Sequence, residues 1–209
     1  MGLSNTEVWE LVHTERRKLV EDLASVSGSQ WETPSLCPGW SVHDVLAHLV
    51  DTANTGRLAF VWSMMRARGD FDRANAEGVT RYKSDDPGQT VAALRGMLEL
   101  TKTPPANRAT RLVEAFVHGE DIRRPLRIEG DYPAEGIVEA LTYQLRTAVS
   151  FGGGKERAQG LRLIDADGGN SWGEGAEVSG SLIDLLLVIS GRPVDQARLT
   201  GPGADRLAG

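Results

Sequence analysis

Hydrophobic residues recur at helical spacing through most of the first 126 residues of the chain. Apolar positions three, four and seven residues apart are typical of amphipathic helices that bury one face. They predict a first helix over residues 5–26, a long second helix from Val42 toward Arg68 with a bend near Gly56, a third over residues 91–100 and a fourth over residues 108–123. The polar stretch 69–88 interrupts this pattern and is predicted to be a connection long enough to form a partial lid.

The pattern changes after the fourth helix. Residues 134–149 predict another helix, and alternating apolar and polar residues then predict a strand over residues 161–164. A second short strand is predicted around Trp172, followed by a nearly all-apolar helix over residues 182–189. The predicted fold class is therefore α+β and mainly α: an up-down helical bundle over residues 1–126, followed by a small α/β domain over residues 127–209.

The second helix has a well-marked start. In Ser41-Val42-His43-Asp44, the Ser41 hydroxyl and the Asp44 carboxylate can each satisfy a backbone N–H group at the helix start, as in a capping box. His48 then lies on the flank of the apolar stripe, a position that suits a side chain pointing into a cleft between helices. His43 faces away from His48, and both it and His13 are predicted to lie at the surface.

The fourth helix carries Glu114 and His118 four residues apart, so both side chains point the same way, with Asp121 one turn further along that face. Such a pair is usually only a solvated surface pair. However, the second and fourth helices of an up-down bundle can face each other, which would bring His48 to the same point. Two imidazoles and one carboxylate are a catalytic type of ligand set for zinc or another divalent metal, with one position left open.

Three further residues of the fourth helix are candidate catalytic residues. Asp121 could orient His118 from behind or be a plain surface acid, and both interpretations stay open. Arg123 and Arg124 could clamp a carboxylate, although cations at a helix C-terminus need no ligand to be favourable. Cys37 could be a fourth ligand or a nucleophile, but it lies eleven residues before His48, which favours a structural role.

Composition excludes several classes of function. The formal net charge is −6 and no block of Lys or Arg occurs, which argues against a nucleic-acid partner. No apolar run approaches the roughly 20 residues needed to span a bilayer, and the acidic N-terminal segment is not typical of a signal peptide, so we expect a cytoplasmic protein without a membrane partner. The single cysteine excludes a disulfide framework and an all-cysteine metal site.

Four segments of the sequence resemble a known family: residues 34–49, residues 114–125, Trp172-Gly173-Glu174-Gly175 and Gly191-Arg192-Pro193. Together they are similar to the mycothiol-dependent maleylpyruvate isomerase family of actinobacteria, whose bundle belongs to the DinB/YfiT-like metalloprotein superfamily. The resemblance implies a divalent metal, with zinc the expected ion, held by His48, Glu114 and His118. It also implies that the thiol mycothiol binds near the metal, where coordination would lower the thiol pKa.

The implied chemistry is addition of a thiolate to an activated cis double bond, rotation, and elimination to the trans product, or transfer of the thiol. The implied partners are a small-molecule thiol and a small electrophilic or carboxylate substrate, in a monomer or homodimer. Two alternatives stay open: a non-catalytic regulatory protein that binds metal and thiol, and a metal-activated hydrolase that uses water.

Overall fold

The computed structural model describes residues 2–207, which form two compact units. One unit comprises Ser4–Asp131, and the other comprises residues 132–207 with residues 2–3. The first contains α1 (Asn5–Asp22), α2 (Val42–Asn54), α3 (Arg57–Arg66), α4 (Phe71–Tyr82), α5 (Pro87–Arg95) and α6 (Ala109–Leu126). The second contains α7 (Ala134–Arg146), β1 (Leu161–Asp165), β2 (Ser171–Gly173), β3 (Ala176–Gly180) and α8 (Leu182–Ile189). The mainly α fold class with a small α/β part is confirmed.

Helix α2 is the centre of the helical unit, because it packs against α4, α5 and α6. Its apolar side chains join those of α1, α5 and α6 in one buried cluster, in which Val45, Leu46 and Ile122 have no exposed surface. Burying a side chain of this size stabilises the fold by about 1.5–3 kcal/mol. The packing therefore fixes the face of α2 that is turned toward α6.

Two arginines tie α1 to the rest of the helical unit. The Arg123 guanidinium of α6, only 1% exposed, binds Glu15 and donates from Nε to Asp22 Oδ2 at 2.7 Å. Arg16 donates from Nη1 to the carbonyl oxygens of Met97, Leu98 and Leu100 at 3.2, 3.4 and 2.8 Å, just beyond the end of α5. Polar bonds thus hold the middle and the C-terminal end of α1.

The predicted long second helix is wrong, because α2 ends at Asn54 and α3 begins at Arg57. The Thr52 and Thr55 hydroxyls bond to backbone carbonyls one turn back, and Thr55 and Gly56 then take extended conformations. Hydroxyl groups that bond to nearby carbonyls compete with the helical backbone, and Gly adds freedom to leave it. The break replaces the bend predicted near Gly56.

The predicted connection over residues 69–88 contains a regular helix, α4. Asp70 caps it by accepting from the Arg73 N–H at 3.0 Å, and the buried positions toward α2 are Ala74, Gly78 and Val79. Small residues at these positions give a weak apolar pattern, although they allow the two helices to approach closely. The expectation of an irregular connection is therefore wrong.

The second unit is built on a three-stranded sheet of order β2-β1-β3. β1 pairs with β2 in an antiparallel manner and with β3 in a parallel manner, and Leu163 lies opposite Trp172 and Val178. The sequence predicted β1, β2 and α8, but not β3. Helix α7 packs against α8, as does the inner face of the sheet.

Candidate metal centre

His48 is placed by the start of α2. The predicted capping box is present: Ser41 Oγ accepts from the Asp44 N–H at 3.2 Å, and Asp44 Oδ2 accepts from the Ser41 N–H at 2.9 Å. Two turns later His48 is buried, with 4% of its surface exposed. Its Nδ1 atom has no hydrogen-bond partner. A buried polar nitrogen without a partner is costly, so it marks a place where a ligand would be stabilising.

The tight link before α2 brings Trp40 onto His48. The Trp40 N–H donates to the Cys37 carbonyl at 3.2 Å across a turn in which Gly39 has a φ of +80°, a conformation that favours glycine. The rings of Trp40 and His48 lie 5.1 Å apart between centroids. Trp40 therefore covers the histidine that the helix start positions.

The structure brings His48 and His118 together as the sequence predicted. Their ring centroids are 4.8 Å apart, with the ring planes at 80° to each other. Glu114 is one turn before His118 on α6, and its charge acts on both imidazoles. The three predicted ligands are thus neighbours in space, although His48 is separated from Glu114 by more than 60 residues of chain.

Asp121 lies behind His118. Its Oδ2 atom is 2.8 Å from His118 Nδ1, and the Asp121 side chain is fully buried. If Nδ1 carries the proton and donates it to Asp121, the lone pair of the other ring nitrogen, Nε2, is free to bind a metal. The geometry thus supports the orienting role of Asp121 and excludes the alternative that Asp121 is a plain surface acid.

A proline in α6 links this aspartate to the segment that carries Trp40. Pro125 has no N–H, so the carbonyl of Asp121, four residues earlier, lacks its usual helical donor. That carbonyl instead accepts from the Leu36 N–H at 3.3 Å. The helix continues through Pro125 to Leu126, three residues beyond the predicted end at residue 123, and is capped by Arg127, which has a φ of +59°.

Glu114 is held by an arginine of its own helix. Arg111, itself 5% exposed, donates from Nη2 to Glu114 Oε1 at 3.0 Å, whereas Glu114 Oε2 is buried without a partner. A spacing of three residues on one helix face is the sequence signal that could have identified Arg111. One carboxylate oxygen is thus fixed while the other remains available.

Burial and neighbouring charges keep both groups in the form that binds metal. Burial lowers the pKa of His48 to about 3, helped by His118 and Arg111, so its imidazole is neutral at pH 7. Burial alone would raise the pKa of Glu114, but the positive charge of Arg111 is the largest opposing effect, and the pKa is lowered to about 2. Neutral imidazole and ionised carboxylate are the states that ligate divalent metals.

The side chains do not yet form a closed metal site. Across residues 2–207, no three His, Cys, Asp or Glu side chains stand close enough together to hold a metal ion. Because Arg111 occupies one oxygen of Glu114, coordination would draw on the other. The unpartnered atoms of His48 and Glu114, beside an oriented His118, fit such an ion, and the ligand assignment remains a prediction.

The remaining candidates have other environments. Arg123 of α6 binds Glu15 and Asp22 of α1, and Arg124 binds Glu120 Oε2 of its own helix at 2.6 Å. Cys37 packs against the hydrophobic core and forms no disulfide. His43, predicted at the surface, is 2% exposed, and its Nε2 atom lies 2.9 Å from Thr90 Oγ1, so that expectation is wrong.

A small cavity of about 20 Å³ adjoins Glu114 on the side lined by Arg16, Thr52 and Arg111. A space of this size holds about one water molecule. It is therefore too small to be the site of a thiol or of any organic substrate.

Comparison with known proteins identifies relatives of this chain. A family model described as the mycothiol maleylpyruvate isomerase N-terminal domain matches residues 12–102. Two solved structures, of a mycothiol-dependent maleylpyruvate isomerase and of a histidine-to-alanine mutant of that enzyme, are 18% and 17% identical to this chain. Each match has a TM-score of 0.68 and covers 97% of this chain and 94% of the other. At this identity the structural match shows the fold.

Among curated proteins, none matches the sequence significantly. In the part of the chain that the structure describes, no helix is long and apolar enough to span a membrane. The family resemblance inferred from the sequence is confirmed for residues 12–102.

Proposed function

We propose that this chain, whose residues 12–102 match the mycothiol maleylpyruvate isomerase N-terminal domain family, is a metal-dependent enzyme that acts with a low-molecular-weight thiol. The proposed ion is zinc and the proposed thiol is mycothiol. The proposed reactions are cis–trans isomerisation of a small activated alkene and transfer of the thiol to a small electrophile. His48, Glu114 and His118 would hold the ion.

The observation that carries the proposal is the set of unsatisfied atoms at one place in the helical unit. His48 Nδ1 and Glu114 Oε2 are buried without partners, and Asp121 orients the His118 ring next to them. Buried polar groups nearly always have hydrogen-bond partners. Two unpartnered metal-binding groups next to an oriented third are therefore better explained by a bound cation than by packing.

The residues of the chain prepare the site before any substrate binds. Asp121 fixes the tautomer of His118, Arg111 keeps Glu114 ionised, and Trp40 shields His48 from water. A bound divalent ion would act as a Lewis acid, lowering the pKa of a coordinated thiol. With two neutral imidazoles and one carboxylate, the ligand set leaves a net positive charge on the ion, which favours the thiolate form of the thiol.

Arg123 and Arg124 were candidates for binding a substrate carboxylate. Each guanidinium has a carboxylate of this chain as its partner, Glu15 and Asp22 for Arg123 and Glu120 for Arg124. We therefore infer that they stabilise α6 and its packing on α1. A role for either one in catalysis stays a prediction.

Zinc binding tests the site. We expect titration calorimetry to show one ion bound per chain, and His48→Ala and His118→Ala to weaken binding by roughly 100-fold or more, as loss of a whole ligand should exceed the loss of its supporting residue. His13→Ala is the matched control, because His13 lies on α1 and pairs with Glu99 at 3.1 Å. If the wild type binds no zinc, or if all three variants bind it equally well, the site assignment is wrong.

Turnover tests the reaction. We expect zinc-loaded protein to act on small electrophiles or activated cis alkenes only when mycothiol is present, and Glu114→Gln to abolish this activity. Activity that persists without any thiol would indicate the hydrolase instead. Binding of zinc and mycothiol with no turnover across a panel of electrophiles would indicate the regulatory protein.

A further inference from the structure

A second cavity lies between α7 and one edge of the sheet in the second unit. Its volume is about 330 Å³. Ligand pockets in proteins typically measure roughly 300–1,000 Å³. Its walls come from α7, from the turn over residues 155–159, and from β1 and the edge strand β2. This cavity, called the sheet-edge cavity below, shares no residue with the candidate metal centre.

The arrangement of α7 leaves one of its faces for this cavity. The helix packs against α8, and its buried positions include Ile137 and Leu141. Thr142, Leu145 and Arg146 lie on the adjoining face, which covers about 100° of an ideal helix, and they line the cavity. This second face is therefore available to a ligand.

The opposite wall of the cavity is apolar. Leu161 and Leu163 alternate with outward-facing residues of β1 and are each 1% exposed. Trp172 of β2 lies directly opposite Leu163, and residues paired in this way share one face of a sheet. The Trp172 indole N–H donates to Thr142 Oγ1 at 3.3 Å, which anchors the half-buried ring beside the cavity.

The charges at the rim have one sign. The exposed side chains of Arg146 and Lys155 both line the cavity, and neither makes a hydrogen bond or an ion pair with any described residue. Among the described residues that line the cavity, none is an acid. This local excess of positive charge stands against a net charge of −6 for the whole chain. An apolar wall beside two unpaired cations is complementary to an anion that carries an apolar body.

We propose that the sheet-edge cavity binds a small carboxylate with an apolar body. The leucines, Ala158 and the Trp172 ring would contact the body, and Arg146 and Lys155 would bind the carboxylate, for which a guanidinium offers two parallel donors. With roughly 30 Å³ for each water-sized group, the volume corresponds to a ligand of about 11 non-hydrogen atoms. A neutral apolar molecule would leave the cations unpaired, and a compact polyanion would gain little from the apolar wall.

A titration followed by two-dimensional NMR of the full-length, zinc-loaded protein tests this site. The probes are 2-naphthoate and decanoate, which are of the expected size and differ in the shape of the apolar body. We expect at least one of them to bind with a dissociation constant of about 1 mM or lower and to shift the amide signals of residues 142–163. Its neutral counterpart, 2-naphthamide or decanol, should bind at least fivefold more weakly. The His48→Ala variant should bind the probe equally well, because the cavity does not include the metal centre.

Substitutions at the rim separate this site from unspecific binding. Arg146→Gln and Lys155→Gln should each weaken binding of the carboxylate about two- to fivefold, since exposed ion pairs are individually weak. Ala158→Glu should weaken it at least tenfold, because it adds a carboxylate to the cavity. Arg162→Gln is the matched control and should leave binding unchanged, since Arg162 lies on the outer face of β1 near Glu177. Helical circular dichroism verifies that each variant is folded.

Several outcomes would overturn the proposal. One is that neither carboxylate binds at 1 mM, and another is that the neutral counterparts bind as tightly as the acids. Amide shifts confined to α2 and α6, or binding that His48→Ala abolishes, would assign the carboxylate to the metal centre instead. Equal binding by the wild type, Arg146→Gln, Lys155→Gln and Ala158→Glu would exclude the cavity as the site.

Discussion

The buried cluster of Glu15, Asp22 and Arg123 should make the stability of the helical unit depend on pH. Two carboxylates share one buried guanidinium, and Glu15 is itself buried, so ionising Glu15 adds a poorly solvated negative charge that Arg123, with Lys18 further away, only partly offsets. Burial raises the pKa of Glu15 to about 7 from 4.5, with Asp22 adding to the rise and Arg123 opposing it. Protonation of Glu15 leaves a neutral pair of Arg123 and Asp22.

The sign follows from the two pKa values. The folded protein holds the proton of Glu15 up to about pH 7, whereas the unfolded chain releases it near pH 4.5. The extra stability is therefore fully present below pH 4.5 and is lost as the pH rises toward 7. Each pKa unit is worth about 1.4 kcal/mol, so between pH 5 and 8 the loss is about 2 to 3 kcal/mol.

The perturbation is Glu15→Gln, which keeps the shape and a hydrogen-bonding group but cannot titrate. Urea unfolding followed by helical circular dichroism at pH 5, 6, 7 and 8 gives the free energy of unfolding of both proteins. We expect the wild type to lose about 2 to 3 kcal/mol relative to the variant over this range. Asp22→Asn should also reduce the dependence, because Glu15 then has Arg123 to itself.

A difference between wild type and Glu15→Gln that stays constant from pH 5 to 8 would refute this reasoning. A wild type that gains stability relative to the variant as the pH rises would refute the predicted sign of the pH dependence directly. That result would mean that the ionised pair of Glu15 and Arg123 outweighs the burial of the charge.

Three further substitutions test other parts of the structure. Asp121→Asn should weaken zinc binding about 10-fold, because the amide supports the His118 tautomer less well, and calorimetry showing unchanged affinity would remove the orienting role. Gly154→Ala would place a methyl group 2.2 Å from a backbone carbonyl oxygen of α8, so thermal unfolding should show a loss of about 3 kcal/mol; a variant as stable as the wild type would contradict the close approach. Thr90→Val leaves the buried His43 nitrogen without a partner and should cost about 1–3 kcal/mol in urea unfolding, whereas an unchanged midpoint would show that water replaces the hydroxyl.

The elements that the sequence predicts well are those with strong local signals. The capping box at Ser41 and the spacing of Glu114 and His118 are local, and the structure contains both. Helix α4 was missed because Ala74 and Gly78 replace the large apolar residues that make a helical pattern visible. β3 was missed because Ala176–Gly180 has only one strongly strand-forming residue, and its pairing with β1 supplies the rest.

The site was predictable only in part, for a similar reason. The spacing on one helix predicts that Glu114 and His118 share a face, and the bundle topology predicts that His48 lies opposite them. The interactions that prepare the site are tertiary. Trp40 reaches His48 through a turn, and the Leu36 N–H donates to the Asp121 carbonyl because Pro125 has no N–H to donate. The prediction that His43 lies at the surface is wrong because a helical wheel of α2 gives no information about Thr90 of α5, which covers His43.

The contact between Arg16 and the end of α5 has a consequence for local unfolding. A helix of nine residues is too short to be stable by itself in water, so α5 owes its order to its neighbours. The carbonyls of Met97, Leu98 and Leu100 share one donor, and that donor belongs to α1. If α1 opens, these carbonyls lose their donor while α5 still packs against α2, so we expect hydrogen exchange to rise first at the C-terminal end of α5.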